Sequence, residues 1–404
     1  MTLPVITLLS GIQTEIDPDI CFMLDSTNLG VLDTDILGGT EDTLFVAPIQ
    51  GVEINRGRSR QLDRFQSGSA TIVFRNADRK LDPLNEASEY AGYVVPRLRF
   101  QILADNVPIY SGLTTDWDID YDLTGQDTAV AYCSDVFTLL SNLSFVLDTT
   151  TTPENPGKRL NFALDTFSFT GPRAIDNGNS NLGGYDIEAN TQLLDYMFQV
   201  AASDRGNLFM SADNKITFVG RFGRNPVSEV TFADDGTGIP YSALKNQYGD
   251  ELLFNEVVVS SPAGSVTETN DDSISQFGLS IFNFNNALNN STSELREIAQ
   301  DIIEKYGTPK VRFTGLQVEL AGLSNAQIAD ILDLDLADQV SVKKSFSVGS
   351  PSYVTQDLMV TGIKHQIRPG SHVVEFTFEP TPYKVGLRLD DAVKGTIDED
   401  NYLG

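Results

Sequence analysis

Histidine and cysteine are nearly missing from this chain of 404 residues, with two of each. The histidines, His365 and His372, stand seven apart across an expected turn. A hairpin would bring them close enough to form a metal pair. With no cysteine nearby and no carboxylate cluster around them, ordinary strand histidines are the favoured reading. Neither Cys21 nor Cys133 stands in a motif that activates a nucleophile. A disulfide between them stays open, while so few thiols suit assembly in a reducing cytoplasm. Long apolar runs are also missing, and nothing approaches the ~20 residues of a membrane span. The opening MTLPVITLLSGIQTEIDPDI lacks the basic region of a signal peptide. Positive charge is scarce: 28 Lys and Arg face 56 Asp and Glu, a net charge of −28. Such a surface repels nucleic acid and anionic membrane. Phosphate-binding glycine loops are absent as well. The closest run, residues 178–184, has no lysine and follows no buried strand.

What is present is globular. Apolar residues make up 41% and charged residues 21%, and the length allows two to four domains. Residues 1–45 are acidic and turn-rich, with little period. From there to about Leu140 the pattern is dense β, ending in a short helical segment in TAVAYCSDVFTLLSNL. Within it, PIYSGLTTDWDIDYDL alternates. Asp116, Asp118, Asp120 and Asp122 fall on one strand face, with Trp117, Ile119, Tyr121 and Leu123 on the other. The Thr/Pro-rich residues 148–160 read as a linker. A smaller α+β module follows, with a helix capped by Asn190 and a stripe of Leu193, Leu194, Met197, Phe198 and Ala201. A hairpin turning at Ala212–Lys215 completes it, and the module ends near Asn225.

β character resumes near Tyr241 with LLFNEVVVSS. Ser291 and Glu294 form a capping box for a helix striped by Leu295, Ile298, Ile302 and Tyr306, which Gly307 and Pro309 stop. A shorter helix starts at Ser324, with Gln327 in the box position and Ile328, Ile331 and Leu332 inward. The final strands pair across Pro369-Gly370, and an acidic segment ends the sequence.

Two blocks carry more than composition. Residues 55–103 read as a strand with Arg56, Arg58 and Arg60 on one face, then the hairpin LDRFQSGSATIVFRN, the loop NADRKLDPLN and the strand YVVPRLRF. Near the other end stand NEVVVSS, DLDLADQVSV and VTGIKHQIRPGSHVVEFTFEPT. In this order the blocks resemble the two barrels of minor tail or baseplate hub proteins of long-tailed (siphophage-type) bacteriophages. Gly362, Ile363, His365, Pro369 and Gly370 match that family's penultimate strand, and Val374, Phe376 and Phe378 its last. Position 372 is His where tryptophan is frequent.

The resemblance implies a mainly β fold with a β-barrel hub domain at 1–147 and a second barrel with a helical insertion at 239–388, while the α+β module at 148–238 and the acidic tail at 389–404 rest on the residue pattern alone. It also implies a homotrimer at the tip of a virion tail, assembled in the host cytoplasm. The trimer would continue the tail-tube channel and adapt it to tip proteins. Its partners would be a distal tail or tail tube protein, a tape-measure protein and tip fibre or receptor-binding proteins. DNA would only pass through.

Against a net charge of −28, Arg56, Arg58 and Arg60 fit donors to carboxylates of a neighbouring subunit better than nucleic-acid ligands. The aspartate ladder fits a solvated strand face or an inward acidic wall. A calcium loop needs glycine at its sixth position, which here is Tyr121. No catalytic, cofactor or metal constellation emerges. The alternatives are a β-rich surface adhesin or carbohydrate-binding protein using exposed aromatics such as Trp117, and a tail-tip cell-wall hydrolase.

Overall fold

The structure, a computed structural model, describes residues 3–11, 43–45, 47–223 and 230–381. Cys21, most of the acidic amino-terminal stretch, the module boundary at Asn225 and the segment 389–404 lie outside the described residues. Cys133 is free and buried.

The amino-terminal half consists of β1 (Ile6–Ser10), β2 (Thr43–Leu44), β3 (Ile49–Gly57), β4 (Gln66–Arg75), β5 (Arg99–Ala104), β6 (Val107–Asp120) and β7 (Thr128–Ser134). β1 lies in a stretch where no strand is expected from sequence. β6 pairs with β5 through its first half and with β7 through its second, so the sheet curls around it. Alternate residues of β4, Ala70, Ile72 and Phe74, are buried. Phe74, Phe100 and Tyr90 meet around Phe45 at ring-centroid distances of 5.6, 5.1 and 4.7 Å.

The middle module holds α1 (Phe137–Leu140), β8 (Thr149–Thr150), α2 (Pro156–Thr166), β9 (Arg173–Ile175), β10 (Asp186–Ile187), α3 (Leu193–Ser203), β11 (Asn207–Met210) and β12 (Ile216–Val219). The last five residues of the expected linker are therefore helical. Asn155 caps α2 by accepting from the Lys158 amide at 2.8 Å, and Pro156 occupies the first helical position. Asn190 does not cap α3. It sits at φ 70°, two residues before the cap position, Gln192. Tyr196 and Val200 join Leu193, Met197 and Ala201 on the buried face, while Leu194 and Phe198 are half-buried.

The rest comprises β13 (Val230–Ala233), β14 (Ala243–Gln247), β15 (Glu256–Ser261), β16 (Gly264–Thr269), α4 (Asp271–Phe277), β17 (Ile281–Phe284), α5 (Thr292–Tyr306), β18 (Arg312–Glu319), α6 (Asn325–Asp333), β19 (Gln339–Ser345), β20 (Tyr353–Arg368) and β21 (Ser371–Pro380). The insertion carries strands as well as helices. β15, β16 and β17 form their own three-stranded sheet, and α5 covers it with Leu295, Ile298, Ile302 and Tyr306. Ser291 caps α5, but the Glu294 side chain turns to Asn181 and Asn289 instead of closing a box. The box at Ser324 and Gln327 is complete.

The two halves share one 13-stranded sheet. Its main path runs β14-β18-β21-β20-β3-β4-β7-β6-β5-β1-β2, and β19 and β13 branch from β20. Antiparallel pairing of β3 with β20, from Val52↔Ile367 to Gly57↔Gly362, joins the halves, and one continuous core lies beneath both.

Gly57 ends β3 at φ 98°, so Arg58 and Arg60 leave the strand alternation expected for them. A Cβ there would lie 2.2 Å from the Thr361 carbonyl oxygen and 2.7 Å from the Gly362 Cα. Only glycine fits both the conformation and the approach. Gly57→Ala is expected to cost about 3–5 kcal/mol, read as a lower denaturant midpoint. A midpoint within error of wild type would show that the strands do not cross this closely.

Candidate functional site

The inward side chains of β3 are Val52, Ile54 and Arg56. Two aliphatic residues and an arginine thus share a buried face, and Arg56 is only 8% exposed. A buried guanidinium needs a counter-charge and acceptors. Arg56 finds Asp335, just beyond α6, at 2.5 Å, and the Met210 carbonyl at the end of β11 at 3.0 Å. The other oxygen of Asp335 accepts from the Ala212 amide at 3.1 Å. One ion pair therefore ties together the amino-terminal half, the middle module and the carboxy-terminal half.

Arg58 adds a second tie. It reaches Glu379 of β21 at 2.5 Å, donates to the Asp63 carbonyl at 2.6 Å and lies 4.7 Å over the Phe65 ring. Arg60 is exposed. Of the three arginines expected to serve a neighbouring subunit, Arg56 and Arg58 meet carboxylates of their own chain. Asp335 and Glu379 are the residues that sequence reasoning missed. Their only signal was the order of the two blocks, which gives no pairing.

Burial shapes the titration of the groups behind Arg56. Asp135 accepts from Ser67 Oγ, Gly68 N and Phe137 N at 2.6, 2.5 and 3.0 Å. Its burial outweighs those bonds and raises its pKa to about 6. The histidine pair does form: His365 Nδ1 and His372 Nε2 are 3.1 Å apart on the core side of the β20–β21 hairpin. Burial, then the neighbouring His372 and Arg56, hold the His365 pKa well below the ordinary value. Burial lowers His372 to about 4. Among the described residues no group of three metal-ligating side chains is found.

The acidic ladder divides. Asp116, Asp118 and Asp120 are exposed on one face of β6, opposite Tyr132, Val130 and Thr128 of β7. The Tyr132 hydroxyl bonds to Asp118, and that bond pushes the phenol pKa up. Asp122 lies past the strand end, where it accepts from the Thr124 amide and hydroxyl and stabilises the turn. Ile119 and Trp117 point to the core, as alternation requires, but Tyr121 and Leu123 are exposed. Trp117 is no free binding platform. Its ring lies 6.3 Å from Phe74 and its indole nitrogen donates to the Val95 carbonyl at 3.2 Å.

Against this geometry stand the comparisons. No family model and no curated protein matches the sequence. The fold, however, is shared with solved tail proteins. A tail protein from Neisseria meningitidis superposes with a TM-score of 0.60 at 9% identity, over 94% of this chain and 97% of that one. The 43 kDa tail protein of prophage MuSo2 from Shewanella oneidensis gives 0.54 at 12% identity, over 85% and 96%. An E. coli component of the type VI secretion system, described as structurally similar to T4 bacteriophage tail proteins, gives 0.50 at 10% identity, over 83% and 74%. The chain thus has the mainly β fold of phage tail and baseplate hub proteins. Among the described residues no helix is long and apolar enough to cross a membrane.

Two measurements test the buried groups. Asp335→Ala strands the Arg56 charge and should cost about 3–5 kcal/mol; a loss below about 1 kcal/mol would mean that water already solvates the guanidinium. For His372, the folded pKa lies below the unfolded value of 6.5. The unfolded chain therefore binds more protons between pH 6.5 and about 4, and stability falls as pH drops through that window. The contribution is at most about 3 kcal/mol. Asp135 acts oppositely, its raised pKa withdrawing stability as pH rises from about 4 to about 6. Urea titrations across this range should show a smaller acid loss in His372→Phe than in wild type. Parallel curves would remove the histidine from the account.

Proposed function

We propose that this chain is a structural hub protein of a phage-type tail tip. Three copies assemble around the tail axis, each contributing its two halves as barrel-like units. The resulting six-part ring continues the tail tube and adapts it to three-fold tip proteins. Its neighbours are then a distal tail or tail tube protein and the tape-measure protein on one side, and tip fibre or receptor-binding proteins on the other. The role is mechanical, with no enzymatic step.

One observation carries the reading: the fold follows that of the Neisseria tail protein over 94% of this chain and 97% of that one. The β3–β20 pairing supports it physically. It fuses the halves into one sheet, so a subunit presents them to its neighbours in a fixed relation. Edge strands such as β14 and β2 would be covered by adjoining subunits in a closed ring.

In the ring, the Asp116, Asp118 and Asp120 face of β6 lines the channel. A wall of like charge lets DNA slide without the counterion release that would trap it. Arg60, exposed and beyond the glycine break, is the arginine left for a subunit contact.

Sedimentation of the pure protein should give a trimer, and a stable monomer at micromolar concentration would contradict the hub. Replacing Asp116, Asp118 and Asp120 with Lys should leave the fold intact while impairing DNA delivery by assembled particles. Unimpaired infectivity would take this strand away from the channel.

A further inference from the structure

A chain with only 28 Lys and Arg gathers five of them around one cleft of about 160 Å³: Arg58, Arg64, Arg205, Arg221 and Lys305. The cleft lies where the stretch after β3, the end of α3, α5 and the β20–β21 pair come together. Four of the cations have a carboxylate: Glu379 for Arg58 at 2.5 Å, Asp195 for Arg64 at 2.5 Å, Asp301 for Lys305 at 3.0 Å and Glu297 for Arg221 at a loose 3.5 Å. Arg205 makes no side-chain hydrogen bond or ion pair among the described residues, and it is half-buried.

The unused donors point the same way. The Nε atoms of Arg58, Arg205 and Arg221 are all buried and without a hydrogen-bond partner. Buried donors normally find acceptors, and three orphans lining one cleft is an unusual concentration. Water can accept from the N–H groups but leaves the Arg205 charge uncompensated. A carboxylate satisfies both demands, since its paired oxygens match the guanidinium fork.

We propose that this cleft is a carboxylate-binding site and that its ligand is the acidic run Asp398, Glu399 and Asp400 of this chain, from the same copy or an adjoining one. Charge complementarity favours this occupant, as does tethering. Glu379 lines the cleft and β21 ends at Pro380, so the chain continues from the cleft's rim. From Thr381 to Asp398 an extended chain spans on the order of 55 Å. That is ample to turn back, and a tether of such length holds its end at an effective concentration around a millimolar. Docking would clamp the seam between the halves and the insertion by adding a bond that the described residues do not supply. The site does not depend on the hub assignment.

Hydrogen exchange of the full chain tests it. In wild type the amides around residues 396–402 should exchange about tenfold slower than unprotected amides. About 0.5 M salt should remove that protection. Arg205→Gln and the combined Asp398→Asn, Glu399→Gln, Asp400→Asn variant should each abolish it. Arg205 makes no side-chain hydrogen bond or ion pair among the described residues, so its variant should keep the wild-type fold, read as an unchanged circular dichroism spectrum, and should lower the melting temperature no further than the triple acidic-run variant does. Protection that weakens on dilution assigns the ligand to an adjoining copy; protection independent of concentration assigns it to the same copy. Unprotected exchange of the segment in wild type, or full protection retained in Arg205→Gln, overturns the proposal.

Discussion

The fold depends on the approach of β3 to β20. Without that pairing the halves would be separate sheets with exposed edges, each free to pair with another chain. Two opposed glycines, Gly57 and Gly362, let the backbones come close. The Arg56–Asp335 pair then seals the crossing from the core side and draws in the middle module through Met210 and Ala212. On the outer side Lys364 meets Glu53 at 2.6 Å across the same two strands. A buried ion pair adds little net stability compared with an apolar contact, but a broken one is heavily penalised. Its role here is therefore to select one arrangement of three parts.

Charge is distributed accordingly. Cations are scarce, and several of them are drawn inward to seams: Arg56 and Arg58 at the crossing, Arg221 and Arg205 beside the insertion, and Arg159 buried within the middle module against Glu154. Among the described residues most acids lie at the surface, as on the open face of β6. Within the described residues the negative charge is thus a property of the surface more than of the interior. A surface of that sign repels other polyanions.

Local signals were legible in the sequence, and distant ones were not. The Ser324 cap with Gln327, the α5 stripe, the turn at Ala212–Lys215 and the hairpin across Pro369-Gly370 all rest on residues within a few positions of each other. Short-range hydrogen bonds and periodic burial decide them. α2 was hidden because Thr and Pro around it suggested a linker, although Asn155-Pro156 carries a start signal. The partners of Arg56 and Arg58 lie about 280 and 320 residues away, and no period in the sequence connects them. The arginine strand was visible, but its break at Gly57 was not read, although a glycine inside a strand is itself a signal for a bulge or a close backbone approach. Asp116, Asp118 and Asp120 share the exposed strand face that alternation predicts, while Asp122, also exposed, belongs to the turn that follows.

The most direct measurement is an image of the assembled particle at a resolution that locates this subunit. Three copies are expected around the tail axis at the tip, with their sheets forming a closed ring and β6 turned toward the lumen. A single peripheral copy, or a ring in which β6 faces outward and a basic surface lines the channel, would contradict it.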